Sequence, residues 1–218
     1  MAHTKYYAKD GEQVPSVTTV IGGNLGWNKN MLIAWTKKKA LKEGIDSDTI
    51  VKESSEIGTL THYLCENKIN NTVPDIAPYS KEHLAKAKNG YLGFCDWEKF
   101  WKPTKYTHCE VSLVSEQHRF AGTIDIIAER NGGIHLLDLK TSNHIHPEMV
   151  IQLSAYKRLY EEVYNVPILS QSIIKLCKDE PRYDFYPVND EQDLAGWEVF
   201  LQLLEVNKRK KILDTFGK

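Results

Sequence analysis

Apolar residues recur at three- and four-residue spacing through much of residues 31–101 and at every second position in the segments that follow, so the chain divides into a helical and a sheet-forming portion. Met31 to Glu43 carries Met31, Ala34, Trp35 and Leu41 at helical spacing and stops at Gly44, a natural C-terminal breaker. Ser47 is placed to cap a second helix running towards Asn70, and Ser80 a third that ends near Trp101, ahead of Pro103. Lys105–Ser115, Arg119–Glu129 and Ile134–Lys140 then read as consecutive antiparallel strands, the last two joined by a turn at Asn131-Gly132-Gly133. Pro147 opens a helix through Tyr164, Ile168–Leu176 and Tyr183–Val188 read as two further strands, and Asp190–Leu213 reads as a terminal helix. The glycine-rich stretch Ile21 to Gly26 matches neither a dinucleotide nor a phosphate-loop pattern and reads as a turn before the first helix. With no internal repeat and no linker, the expectation is one domain: a mainly helical portion over 1–103, an α/β core over 104–189 and a C-terminal helix over 190–218.

Alternation within the strands gathers ionisable groups. Asp138 and Lys140 share a face with Ile134 and Leu136, while His135, Leu137 and Leu139 take the other. On the preceding strand Thr123, Asp125 and Ile127 fall on one side, with Ile124, Ile126 and Ala128 behind them. Pairing through the turn lets Asp125 and Asp138 converge on one cation with Lys140 beside it. Ionisable groups in otherwise apolar strands are costly to bury and therefore point to a function. An isolated Asp-x-Lys is more often an exposed ion pair; Asp125 and the following helix, in register, shift the balance. On that helix Gln152 and Tyr156 are four apart and can face the same cleft, unless Tyr156 merely packs with Leu153 and Leu159. Taken alone, Glu110 reads as a solvent-facing strand residue and His62 as a helix histidine paired with Glu66 one turn on.

The remaining composition narrows the classes. At 218 residues and a formal net charge of −1 the chain is not a generally basic duplex-coating protein, so nucleic-acid binding would need local basic grooves around an acidic centre. Lys37-Lys38-Lys39 and Lys208-Arg209-Lys210-Lys211 are candidates for such a path, with solvated helix ends as the alternative. Trp27, Trp35, Tyr6 and Tyr7 could stack on bases, although tryptophan at helical spacing is more often core. His144 and His146 read as exposed or DNA-facing loop residues. The N-terminus, Met1 to Tyr7, has neither signal nor transit character and no apolar run suits a membrane span, which implies a cytoplasmic location, that of the host if the chain is phage-encoded. Cys65, Cys95, Cys109 and Cys177 form no C-x-x-C pair and read as reduced, mostly buried thiols rather than an iron-sulfur or zinc site.

His62, Glu110, Asp125, Asp138-Leu139-Lys140 and Gln152-x-x-x-Tyr156 occur in the order and approximate spacing of the RecB-like branch of the PD-(D/E)xK nucleases, which the chain resembles. Pro15-Ser16-Val17-Thr18-Thr19-Val20 and Asp138-Leu139-Lys140-Thr141-Ser142 look like the small single-domain exonucleases of phages and of mitochondrial genome maintenance. The resemblance implies an α/β fold with a restriction-endonuclease-like core, a central mixed sheet flanked by helices, and a helical N-terminal portion beside the cleft. It implies Mg²⁺ or Mn²⁺ held by His62, Asp125, Asp138 and the Leu139 carbonyl, with Asp125, Asp138, Lys140 and Glu110 as the catalytic set. Gln152, Tyr156 and Thr141, with Lys37, Lys38 and Lys39, would contact DNA. The activity implied is a metal-dependent DNA exonuclease on single-stranded or frayed ends, in phage-type recombination, replication or DNA degradation, with recombination or replication proteins as partners. The alternatives are a structure-specific or restriction-type endonuclease and an inactive DNA-end-binding module.

Overall fold

The computed structural model describes residues 4–27, 29–44 and 46–216, apart from the side chains of residues 29, 31, 43 and 47. In chain order its elements are β1 (Tyr6–Tyr7), β2 (Gln13–Val14), α1 (Val17–Asn24), α2 (Lys29–Glu43), α3 (Ser47–Ile69), α4 (Lys81–Trp101), β3 (Lys105–Ser115), β4 (Phe120–Arg130), β5 (Gly133–Lys140), α5 (Pro147–Tyr164), β6 (Ile168–Leu176), β7 (Tyr183–Val188) and α6 (Asp190–Leu213). Strands β3 to β7 form one sheet in sequence order. All neighbours are antiparallel except β5 and β6, which run parallel. A parallel pair needs a crossover, and α5 supplies it. This is the expected α/β class, a central mixed sheet flanked by helices with a helical N-terminal portion.

Two cores sandwich the sheet. On one side Ile124, Ile127, Leu136 and Ile173 pack with Val17 and Val20 of α1, Leu153 and Leu159 of α5 and Phe200 of α6. On the other, Ile126, Ala128, Leu137, Leu139 and Ile174 meet α4 and Cys65 of α3. Phe94, Trp97 and Trp101 repeat at helical spacing on α4, and their rings stack in series at 5.4 and 5.2 Å between centroids. Phe94 and Trp97 are fully buried, worth about 2–3 kcal/mol each in area removed from water.

Local signals set most boundaries. Asn131 and Gly132 both have positive φ (52° and 76°), the left-handed pair that a two-residue hairpin between Arg130 and Gly133 requires. Ser80 Oγ takes the N–H of His83 to start α4, and Asn189 and Gln192 form a reciprocal capping box at α6. Other expectations need correction. The cap of α3 is Asp46, which accepts from the N–H groups of Asp48 and Thr49, rather than Ser47. Ile21 to Asn24 belong to α1 rather than to a turn; burial of Val17, Val20 and Ile21 outweighs the poor helix propensity of Gly22 and Gly23. Trp35 and Leu41 of α2 are exposed, as is Trp27, so they are not core residues; the side chain of Met31 lies outside the described residues. Of the cysteines only Cys65 is buried. Among the described residues no helix is long and apolar enough to cross a membrane.

Helix α6 is tied to α5 by charge as well as packing. Asp193 is 5% exposed and receives Arg158 Nη1 at 2.7 Å and Lys157 Nζ at 3.0 Å. Burial favours the neutral acid, but the hydrogen bonds from Arg158 and Lys157 outweigh it and hold the carboxyl below its ordinary 3.8. A depressed folded pKa means that the pair stabilises the fold in full above the unfolded value and loses that contribution as pH falls through the folded one. Asp193→Ala is therefore expected to lower stability by about 3 kcal/mol at neutral pH, with a difference from the parent protein that shrinks in increasingly acid solution. Urea unfolding at several pH values checks both the size and the trend.

Candidate metal centre

The centre forms where the sheet loses its regularity. Glu110 and Asp125 lie between the cross-strand pairs Cys109–Ile126 and Val111–Ile124. Cys109 and Ile126 belong to the α3/α4 core, yet Val111 and Ile124 belong to the opposite one. Both strands thus change face at this point. Ile124 sides with Ile127, contrary to simple alternation, which groups it with Ile126 and Ala128. Glu110 has a φ of 50° inside β3, a conformation that a side-chain-bearing residue adopts only when its surroundings enforce it. The paired run of β4 with β5 ends at Ile126–Leu137. Just beyond it Asp125 Oδ2 accepts the N–H of Leu139 at 2.8 Å, standing in for a ladder carbonyl.

From α3, His62 completes the group. Its Nδ1 lies 3.6 Å from Glu110 Oε1 and 3.7 Å from Asp125 Oδ2, and ligand atoms of the three residues all fall within 4.8 Å of one another. Asp138 stands beside this triad rather than in it. Its Oδ2 is 2.5 Å from Lys140 Nζ, while Oδ1 is buried with no hydrogen-bond partner among the described residues.

The charges are strongly coupled. Burial opposes a charged His62, but the Asp125 carboxylate and then Glu110 overcome it and lift the imidazole to about 9. Burial raises Asp138 to about 6, with the like charge of Asp125 adding to it and Lys140 opposing it. Burial likewise raises Asp125, against the pull of His62 and Lys140. Lys140 stays above its ordinary value because Asp138 and Asp125 outweigh its own burial.

This donor set fits a divalent cation. Three carboxylates and one ammonium leave two negative charges once His62 is neutral, and the unpartnered Asp138 oxygen is an acceptor that costs about 1–3 kcal/mol to leave unsatisfied. Carboxylate oxygens suit Mg²⁺, and the added imidazole suits Mn²⁺ better.

A cavity of about 440 Å³ opens in front of the centre, lined by Gly58, Thr59, His62, Tyr63, Glu66 and Glu110. Helix α3 therefore forms one wall. Thr141 Oγ1 would lie 2.9 Å from a Cβ at Gly58, so the glycine lets the end of β5 approach α3. Tyr156 combines the two roles open to it: its ring is buried in the core, while its hydroxyl accepts from Gln152 Nε2 at 3.0 Å.

The candidates do not all converge. Glu110 joins His62 and Asp125 more tightly than Asp138 does. The observed Leu139 contact to Asp125 is made by its N–H, whereas the resemblance implies its carbonyl as a ligand. Lys37 and Lys38 lie exposed on α2, and Lys39 sits 5.5 Å over the Trp35 ring. His144 is exposed and His146 is the N-cap residue of α5. The hydroxyl of Tyr6, a residue that the sequence offers only as a candidate for stacking on bases, bonds Thr123 Oγ1 at 2.8 Å, and the β1–β2 hairpin that brings it there is too short to give a periodic signal.

No protein-family model and no curated protein sequence matches the chain. Among the solved structures that its backbone distantly resembles are two of 17% identity or less. One, described as "Putative exonuclease" from Eubacterium rectale, has a TM-score of 0.49 and 13% identity over 71% of this chain and 65% of that one. The other, SSO0001, has a TM-score of 0.33 and 17% identity over 67% and 72% of the two chains. This chain thus spans less than two thirds of the length of the first.

Gly122 gives the packing around Tyr156 a direct test. A Cβ at this position would lie 2.5 Å from Cε1 of the buried Tyr156 ring. Gly122→Ala should cost roughly 1–3 kcal/mol through overpacking, and that cost should largely vanish in a Tyr156→Leu background. A double-mutant cycle by denaturant unfolding measures the coupling.

Proposed function

We propose that this chain is a divalent-metal-dependent deoxyribonuclease that hydrolyses phosphodiester bonds from the ends of single-stranded or frayed DNA. The observation that carries the reading is the convergence of the half-buried His62, Glu110 and Asp125, with the Asp138–Lys140 pair beside them, at a cavity that His62 and Glu110 line. Ionisable groups gathered in a cleft, with His62, Asp125 and Asp138 shifted by burial and by their charged neighbours, point to a functional site. The ordered resemblance of these residues to RecB-like nucleases supports the same reaction class and the choice of DNA.

In this reading Asp125, Glu110, Asp138 and His62 hold the cation, with the Leu139 carbonyl as a further candidate ligand. When bound, the cation supplies Lewis-acid stabilisation of the phosphoryl oxygens and lowers the pKa of an attacking water. Lys140 is kept charged by Asp138 and orients that water, and its charge opposes the negative charge that develops on the phosphate. The Leu139 N–H holds Asp125 in one rotamer, so the carboxylate does not have to reorganise during reaction. Gln152, Tyr156 and Thr141 position the strand. Helix α3 walls the cavity and α2 packs on α3, carrying Trp35 and Lys37 to Lys39, a placement that suits a threaded strand. With a net charge of −1 the protein has little general grip on duplex DNA. Such an enzyme would serve phage-type recombination, replication or DNA degradation, alongside the proteins of those processes.

Threading makes cleavage depend on a free end. Linear single-stranded DNA incubated with the protein and Mg²⁺ or Mn²⁺ should be degraded to short products, while a covalently closed circle of the same sequence survives. Equal loss of both would replace the exonuclease reading with the endonuclease one.

A further inference from the structure

A second cavity, of about 260 Å³, lies on the other side of Thr123 and Tyr156. Its walls come from four elements that meet only in the folded chain: Tyr6 of β1, Ser16, Thr18 and Thr19 at the start of α1, Thr123 of β4 and Tyr156 of α5. Every one of these side chains ends in a hydroxyl. No charged side chain lines the cavity among the described residues. Two hydroxyl chains run through it. Thr123 Oγ1 lies 2.8 Å from both Tyr6 OH and Ser112 Oγ, and Ser16 Oγ lies 3.0 Å from Thr18 Oγ1 and 2.8 Å from Thr19 Oγ1. A hydroxyl has one hydrogen that rotates to suit its surroundings, so such chains can turn their donors towards a ligand that arrives. The site is also built rather than superficial, because Tyr156 is 96% buried, being 4% exposed, and Gly122 keeps space open for its ring.

The position of the cavity identifies its ligand. Thr123, which lines the cavity, stands two residues before Asp125 on β4, so the hydroxyl pocket adjoins the acidic centre. Beside so many carboxylates a lysine or arginine would be captured as an ion pair, whereas neutral donors remain available. Resting on the nuclease reading above, we infer that this pocket receives a backbone phosphate of the substrate strand next to the one being cleaved, and holds it by uncharged hydroxyl donors. Phosphate oxygens only accept hydrogen bonds, and each hydroxyl of this lining can turn its hydrogen towards one, while the ring of Tyr156 is buried and presents no stacking face.

Uncharged contacts leave a distinctive trace. Cationic contacts release counterions and steepen the salt dependence of binding, but hydroxyl contacts do not. The test uses the full chain and its Tyr6→Phe/Thr18→Val double variant, with Tyr6→Phe alone as a second variant that removes a single hydroxyl. Binding of an end-labelled single-stranded oligonucleotide is followed by fluorescence anisotropy in Ca²⁺ at several salt concentrations, and cleavage is measured in Mn²⁺. A series of oligonucleotides carries one uncharged methylphosphonate linkage at each successive position from the end. The double variant should bind about tenfold more weakly at every salt concentration, with the salt slope unchanged and kcat at saturation within about twofold. Wild type should lose a similar factor at one methylphosphonate position at which the double variant loses nothing, and Tyr6→Phe should fall between. Variants that bind as wild type does, or a methylphosphonate penalty equal in all proteins at every position, would overturn the pocket assignment while leaving the nuclease reading standing. A wild-type protein that neither binds nor cleaves DNA would overturn both.

Discussion

The hydrogen bond from the Leu139 N–H to Asp125 is the contact on which the centre depends. It forms just past the end of the β4–β5 ladder, at a point where a strand would ordinarily leave a donor unpaired. By accepting that donor, Asp125 closes the gap and is itself locked in place. The gap lets β4 pass from one core to the other between Ile124 and Ile126, and β3 follows at Glu110. A regular sheet would have left His62 on one side and Asp138 on the other. The break allows the group on α3 and the groups on the strands to share one volume.

Burying that volume sets a second constraint. An isolated charge in such a place would neutralise itself, as the raised Asp138 and Asp125 already tend to do. The cluster remains ionic because each carboxylate has a cationic neighbour, Lys140 for Asp138 and His62 for Asp125 and Glu110. In this arrangement the imidazole carries a proton that occupies the same electrostatic niche as a metal. The positive φ of Glu110 falls at the point where β3 changes face, beside His62 of α3.

Much of this was legible in the residues. The period change near Lys105, the Asn131-Gly132 turn and Pro147 locate β3 to α5 because each is a local steric or hydrogen-bonding rule. Asp138 and Lys140 stood out as charges in an apolar strand for the same reason. The face change at Glu110 and Asp125 was not legible, since alternation assumes an unbroken pleat and the break comes from the tertiary contact between Asp125 and Leu139. The tight grouping of Glu110 with His62 follows from that break. The first helix was hidden by Gly22 and Gly23, whose low propensity is overridden by burial of the other face of α1. Gly122 is visible in the sequence, but its reason, the Tyr156 ring, lies on an element thirty-odd residues away and needs the fold to be seen.

In the proposed function the carboxylates of Glu110, Asp125 and Asp138 hold a catalytic cation. Cleavage of linear single-stranded DNA by wild type and by Asp138→Asn, each shown to be folded by circular dichroism, tests this most directly when run in Mn²⁺ and in EDTA. Wild type should cleave in Mn²⁺ and be inert in EDTA, and the variant should lose turnover by on the order of a hundredfold or more. Near-normal turnover by folded Asp138→Asn protein, or wild-type cleavage undiminished in EDTA, would contradict the account.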